Sequence, residues 1–279
     1  MRQKSTLIAA AGFLILGAAI FFSACKKDSD STSANTDQTT ATSLSSSGST
    51  SESLYDDAFD VVTQEGENNN VSGKATSCAT VTLSPADTTS FPKTMTIDFG
   101  AGCTSTNGVT RKGKIIAALS GRIRATGTSI AVTFDNYSVN GYLVEGTYSI
   151  TNNSGNGNGL NITTQVTNGK VTYPDGTTWY TYSGTHNMAQ TAGTGTITFA
   201  DDVYSITGNY TTGSSAGKNL SVTIITPLIK NAACVNIVSG IEAFTYNNIS
   251  GTLDFGDGTC DKQATLTVGV KTETVILPR

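Results

Sequence analysis

Residues 129–137 read SIAVTFDNY. In an extended chain Ile130, Val132 and Phe134 fall on one side and Ala131, Thr133 and Asp135 on the other, the period of a half-buried β-strand. The alternation returns in Leu160-Ile162-Thr164-Val166, Ile197-Phe199, Leu220-Val222-Ile224 and Leu266-Val268-Val270. Gly, Asn or Asp punctuates the runs at intervals of about 8–12 residues, as in all-β chains. One apolar and one wet face per strand favours antiparallel pairing. Asn140-Gly141, Asn168-Gly169 and Asp175-Gly176 tolerate the positive φ of tight hairpin turns.

The expected fold is therefore all-β, an antiparallel β-sandwich or wide barrel-like sheet of about a dozen or more strands. No Pro- or Ser-rich linker interrupts the chain after Gly66, so residues 52–279 read as a single β-domain. One short N-terminal helix is expected over Glu52–Val62 (ESLYDDAFDVV), where Leu54, Ala58 and Val61 form an apolar stripe.

Cysteines 78, 103, 234 and 260 sit in two similar modules. Each runs from a cysteine in a strand-like stretch through T-φ-D-F-G-x-G to a second cysteine and another strand: Thr96-Ile-Asp-Phe-Gly-Ala-Gly-Cys103 and Thr252-Leu-Asp-Phe-Gly-Asp-Gly-Thr-Cys260. The separations, 25 and 26 residues, match. Two local disulfides, Cys78 with Cys103 and Cys234 with Cys260, are the simplest reading for an exported chain. A zinc site would ask for C-x-x-C pairs, which the sequence lacks.

The stretch Leu253–Asp261, LDFGDGTCD, offers Asp254, Asp257 and Asp261 as candidate calcium ligands. The acids do not have the spacing of an EF-hand loop, and no kinase motif surrounds the Asp-Phe-Gly. The first module has Ala101 where the second has Asp257. What the two share is a buried-type Phe and two glycines, the parts of a tight strand-end corner.

Only 14% of the chain is charged, against about 25% in ordinary soluble domains, as befits an exported β-protein rich in Gly, Thr, Ser and Asn. The net charge of −4 gives no general attraction to nucleic acid.

The chain opens MRQKSTLIAAAGFLILGAAIFFSAC, with a basic start, a long apolar run and small residues before Cys25. That is the layout of a signal peptide, here residues 1–24. Phe22-Ser23-Ala24-Cys25 resembles the lipobox of bacterial lipoproteins, and the KKDSD that follows resembles the charged tract of surface lipoproteins of Bacteroidota type. The resemblance implies a lipidated Cys25 and an outer-membrane, surface-exposed protein of the cell envelope, with the membrane as partner through its lipid. Residues 25–51 then read as the lipidated cysteine and a disordered Ser/Thr-rich tether, because they bring too little apolar surface to offset the entropy of ordering.

Candidate ligand-binding residues lie in Tyr173-Pro-Asp-Gly-Thr-Thr-Trp179-Tyr180-Thr-Tyr182. Alternation puts Tyr180 and Tyr182 on one face and Trp179 on the other, so one set is core and the other a platform for a sugar ring. His186 lacks a nucleophile motif and reads as a hydrogen-bonded or exposed loop residue. Asp201-Asp202 reads as a turn. Arg111, Lys112, Lys114, Arg122 and Arg124 make one basic hairpin, read as a solvated edge.

No catalytic residue stands out. The expected function is a non-catalytic surface module that binds glycan or another envelope component. The alternatives are an envelope carbohydrate hydrolase with carboxylates gathered from separate strands, and a purely structural or adhesive lipoprotein.

Overall fold

The computed structural model describes residues 28–71, 78–87, 89–155 and 159–279, with side chains in the N-terminal helix from residue 34 to 67. Residues 1–24, expected as a signal peptide, and Cys25 lie outside the described residues. Helix α1 spans Asp28–Val71. The strands are β1 Thr80–Ser84, β2 Lys93–Asp98, β3 Cys103–Thr104, β4 Thr110–Leu119, β5 Ser129–Val139, β6 Tyr142–Asn152 and β7 Asn161–Thr172. They continue as β8 Trp179–Ala192, β9 Val203–Ser214, β10 Asn219–Asn231, β11 Ser239–Tyr246, β12 Ile249–Asp257, β13 Gln263–Val268 and β14 Lys271–Ile276.

All fourteen strands form one antiparallel sheet in near-sequential order. The short β3 prolongs the line of β2, and both pair with β4. The wide barrel-like sheet expected from the sequence is what forms, although β1 and β14 stay unpaired edges and the barrel does not close.

The sheet curls around α1. Thirteen strand positions along the sheet, at about 4.8 Å each, give an arc of roughly 60 Å, the circumference of a cylinder about 10 Å from a helix axis. Irregularities supply the bend. Register shifts fall between Lys112 and Lys114, Thr133 and Ser138, Glu145 and Thr147, and Val166 and Gly169. Gly113, Asn136, Gly146 and Asn168 in these bulges have positive φ. Each bulge adds local twist, and successive bulges on neighbouring strands roll the sheet. Asn168-Gly169, expected as a hairpin turn, is thus a bulge inside β7, whereas Asn140-Gly141 and Asp175-Gly176 do make turns.

The helix corrects the sequence reading. It is long rather than short, and it includes the stretch expected as a disordered tether. From Leu44 almost every residue to Gly66 is buried, including Ser45, Ser47, Ser49 and Ser51. Leu54, Ala58 and Val61 are buried as expected, but so is the opposite face. Serines succeed here for two reasons. Three of their hydroxyls bond the helix's own carbonyls, Ser47 to Ser43 O at 2.6 Å, Ser49 to Ser46 O at 3.1 Å and Ser51 to Ser47 O at 2.9 Å. They are also small: a Cβ on Gly48 would stand 2.7 Å from Cε2 of Tyr210.

The apolar core lies between α1 and the inward faces of the strands. Met95, Ile97, Ile115, Val132, Ile150, Ile206, Val222, Leu253 and Leu266 point inward, while the alternate positions carry mainly Thr, Ser and Asn. The run Ile197-Phe199 is not a strand: Phe199 enters a 3-10 turn and Ile197 is exposed. Beyond β14, Leu277 N–H bonds Lys262 O, and Pro278 O accepts a bond from Asn140 Nδ2, so the last residues reach across to the β5–β6 turn.

Candidate functional site

The aromatic stretch divides between the two faces of β8. Tyr182 is core, stacked on Tyr55 of α1 at 5.3 Å and close to Tyr210 at 4.9 Å. Tyr173 and Tyr180 are half-buried at the end where α1 enters. Tyr173 packs against Tyr142, and the Tyr180 hydroxyl is 2.9 Å from that of Ser43. Trp179 points outward, half-exposed, with Lys170 Nζ 5.6 Å from the ring centroid. Its register neighbours on that face are Thr172 and, one strand further, Leu143.

A second outward feature lies over β10–β13. A shallow groove of ≈ 540 Å³ is lined by Ser221, Thr223, Thr245, Ser250, Thr252 and Thr267, with no charged side chain among its lining residues.

The two Asp-Phe-Gly segments are matching corners. Asp98 Oδ1 accepts the Gly100 N–H at 2.8 Å and Asp254 Oδ1 the Gly256 N–H at 2.9 Å. Phe99 and Phe255 are buried, and the glycines have positive φ. Phe99 packs on Tyr137, and the Arg111 guanidinium lies 6.0 Å from its ring. Cys78–Cys103 and Cys234–Cys260 are disulfides, with Cα separations of 5.9 and 5.4 Å. Asp257 accepts bonds from Thr259, and Asp261 from the Gln263 N–H. Each of the three acids therefore serves its own turn. Among the described residues no group of three or more His, Cys, Asp or Glu is arranged to hold a metal ion.

Most of the titratable chemistry faces inward. Asp57, fully buried, accepts from Arg111 Nη2 at 2.5 Å, Arg279 Nη1 at 3.1 Å and Tyr137 Oη at 2.6 Å. Burial alone would raise its pKa, but Arg111 and then Arg279 outweigh that and bring it down to about 2. Lys230, at 0% exposure, stands 2.9 Å from Asp60 Oδ1. Arg124 joins Glu67 at 2.6 Å and Asp202 at 2.8 Å. The basic hairpin is thus no solvated edge throughout, because Arg111 and Arg124 turn in to meet α1. Asp202 is likewise buried, accepting from Gln190 and Tyr204, while Asp201 stays exposed in the 3-10 turn.

His186 is not in a loop. It lies in β8, buried, with Nε2 3.5 Å from Glu52 Oε1, and burial lowers its pKa to about 4. Glu52 in turn lies against Glu242 of β11, which accepts from the Tyr210 hydroxyl at 2.9 Å. Sequence reading missed Glu52, Asp57, Lys230 and Glu242. A signal existed for two of them: Lys230 shares strand phase with Leu228, and Glu242 with Phe244, so both are charges on an apolar face.

The class these features define is an antiparallel sheet rolled around its own N-terminal helix, with ion pairs inside and hydroxyl groups outside. No protein-family model, curated protein or solved structure matches the chain. Among the described residues no helix is long and apolar enough to cross a membrane.

Proposed function

We propose that the protein is a lipid-anchored, non-catalytic module of the cell envelope that binds a neutral glycan on the outer face of its sheet. The observation that carries this reading is Trp179. It is the chain's single tryptophan, and its ring stands half-exposed beside Thr172 and Leu143, with the Lys170 ammonium, itself paired with Glu145, 5.6 Å from its centroid. Amphipathic rings at a wet surface suit the apolar face of a sugar, and neighbouring hydroxyls suit its edges. The uncharged groove over β10–β13 offers further hydroxyls a few strands away.

A hydrolase is the weaker alternative. The enclosed space beside Glu52 and Asp56 measures ≈ 10 Å³, room for about one water and far less than a sugar ring needs.

The anchor is part of the proposal, resting on the lipobox-like Phe22–Cys25. Asp28, where α1 begins, lies three residues after Cys25, so the intervening chain spans at most roughly 11 Å. In this reading the helix is a stiff arm between lipid and sheet. Labelling with a radioactive fatty acid tests it: Cys25→Ala abolishes incorporation if the anchor is there.

For the binding function, a glycan array with the wild type comes first. Trp179→Ala is expected to weaken a positive hit at least tenfold while leaving the thermal midpoint within a degree or two, the ordinary outcome at a surface position. Binding that survives Trp179→Ala, or an array with no hit, overturns the reading.

A further inference from the structure

We infer that Glu52 and Glu242 hold one proton between them, making a proton-binding site in the closed core that latches α1 to β11. Both carboxyl groups are buried and lie within hydrogen-bond reach of each other. Tyr210 satisfies Glu242 Oε2, but Glu242 Oε1 and Glu52 Oε2 have no donor. Two acceptors pressed together in a space closed to bulk solvent need a hydrogen between them, and only a carboxyl proton can supply it.

No protein donor reaches those two oxygens. From α1 the pair is faced by Tyr55 and by Asp56, which adds negative charge. From the sheet it is faced by Tyr148 of β6, Tyr182 and His186 of β8, Tyr210 of β9 and Lys230 of β10. Lys230 is the one fixed cation in that set, and it is held by Asp60 at 2.9 Å. His186 is neutral. Burial first, then each partner's charge and that of Asp56, drives the Glu52 carboxyl well above the usual range, and burial lifts Glu242 to about 7. The enclosed space beside Glu52, between Asp56, Tyr148, Thr164 and His186, measures ≈ 10 Å³, which suits one water as a carrier for that proton.

The sign follows from linkage. A group whose pKa is raised by folding stabilises the fold below its unfolded pKa, and that contribution is lost as pH rises through the folded pKa. His186 and the buried tyrosines also bind protons differently in the folded and unfolded chain, so the shared proton is read from the difference between wild type and a variant without it. Between the ordinary carboxylate range and the folded pKa of the pair, the ratio of folded to unfolded wild type falls by about tenfold per pH unit relative to that variant.

The experiment is urea unfolding of the full chain from pH 5 to 9, with Glu242→Gln and Glu52→Gln beside the wild type. An amide donates the hydrogen without a titrating proton, so the wild type is expected to lose stability with rising pH relative to either variant. Infrared difference spectra at pH 8 give a second readout that needs no variant to fold: a protonated-carboxyl carbonyl band, shifted by ¹³C-glutamate labelling. A wild-type profile parallel to those of both variants, or the absence of that band from folded wild type, overturns the inference.

Discussion

Arg111, at the start of β4, and Arg279, beyond β14, bond the same carboxylate of α1, that of Asp57, at 2.5 and 3.1 Å. They come from opposite ends of an open sheet, so Asp57 is where the two ends are tied. Asp57→Ala removes the shared partner and leaves two buried guanidinium groups without it. Loss of one partner from a buried pair costs about 3–5 kcal/mol. Denaturant unfolding is expected to give a loss in that range or larger, against under about 0.5 kcal/mol for an exposed control such as Asp135→Ala.

The same carboxylate sets an acid limit. Its folded pKa, about 2, is below the ordinary aspartate value, so its contribution is complete above pH 4 and is lost as pH falls through 2. The depression corresponds to about 2 kcal/mol. Unfolding midpoints measured from pH 5 to 2 should fall in the wild type, and Asp57→Asn should remove that part of the fall.

Hydrogen exchange separates a tether from a core. Ser45 to Val62 of α1 should exchange among the slowest amides of the protein, because opening that stretch exposes the whole inner face of the sheet. Amides on the exposed turns around residues 34–40 should exchange quickly. Gly48→Leu should destabilise by at least about 1–3 kcal/mol, the usual cost of overpacking, since the side chain would enter the Tyr210 ring.

Each disulfide closes a loop of some two dozen residues, with separations of 25 and 26. Removal of either as a double Cys→Ser variant should cost about 3 kcal/mol. The two modules are similar in their corners, so the two losses should be alike. Unequal losses would mean that one module is held mainly by packing, with Phe99 on Tyr137 and Arg111 as the obvious support.

The corner glycines should respond to substitution without any ligand. Gly100 and Gly256 have φ of 57° and 96°, and Ala at either should cost about 1 kcal/mol. Because Asp254, Asp257 and Asp261 each accept bonds within their own turns, millimolar calcium is expected to leave the thermal midpoint of the folded protein unchanged.

Local chemistry was legible in the sequence. SIAVTFDNY declared a strand, Asn140-Gly141 and Asp175-Gly176 declared turns, and the matched T-φ-D-F-G-x-G modules declared both cysteine pairs, because each depends on residues close together in the chain. Face assignment in β8 needed the structure. Period-two alternation separates Trp179 from Tyr180 and Tyr182 but does not say which side meets α1.

The Ser-rich segment is the sharpest contrast. By composition Ser45–Ser53 cannot fold alone, since it has little to bury and serine is a mediocre helix former. It becomes a core helix because a rolled sheet encloses it, tightly at Gly48 against Tyr210, and because serine hydroxyls bond their own helix carbonyls within it. The pairing of Asp57 with Arg111 and Arg279, and of Glu52 with Glu242, is equally invisible along the chain: Arg279 is 222 residues from Asp57. Sequence alone determined most of the strands, the turns at Asn140-Gly141 and Asp175-Gly176, and both disulfide modules, but not the bulge at Asn168-Gly169 or the 3-10 turn at Phe199. Tertiary structure alone decided what the sheet encloses, because burial of small polar and charged groups is favourable only once partners from distant strands surround them.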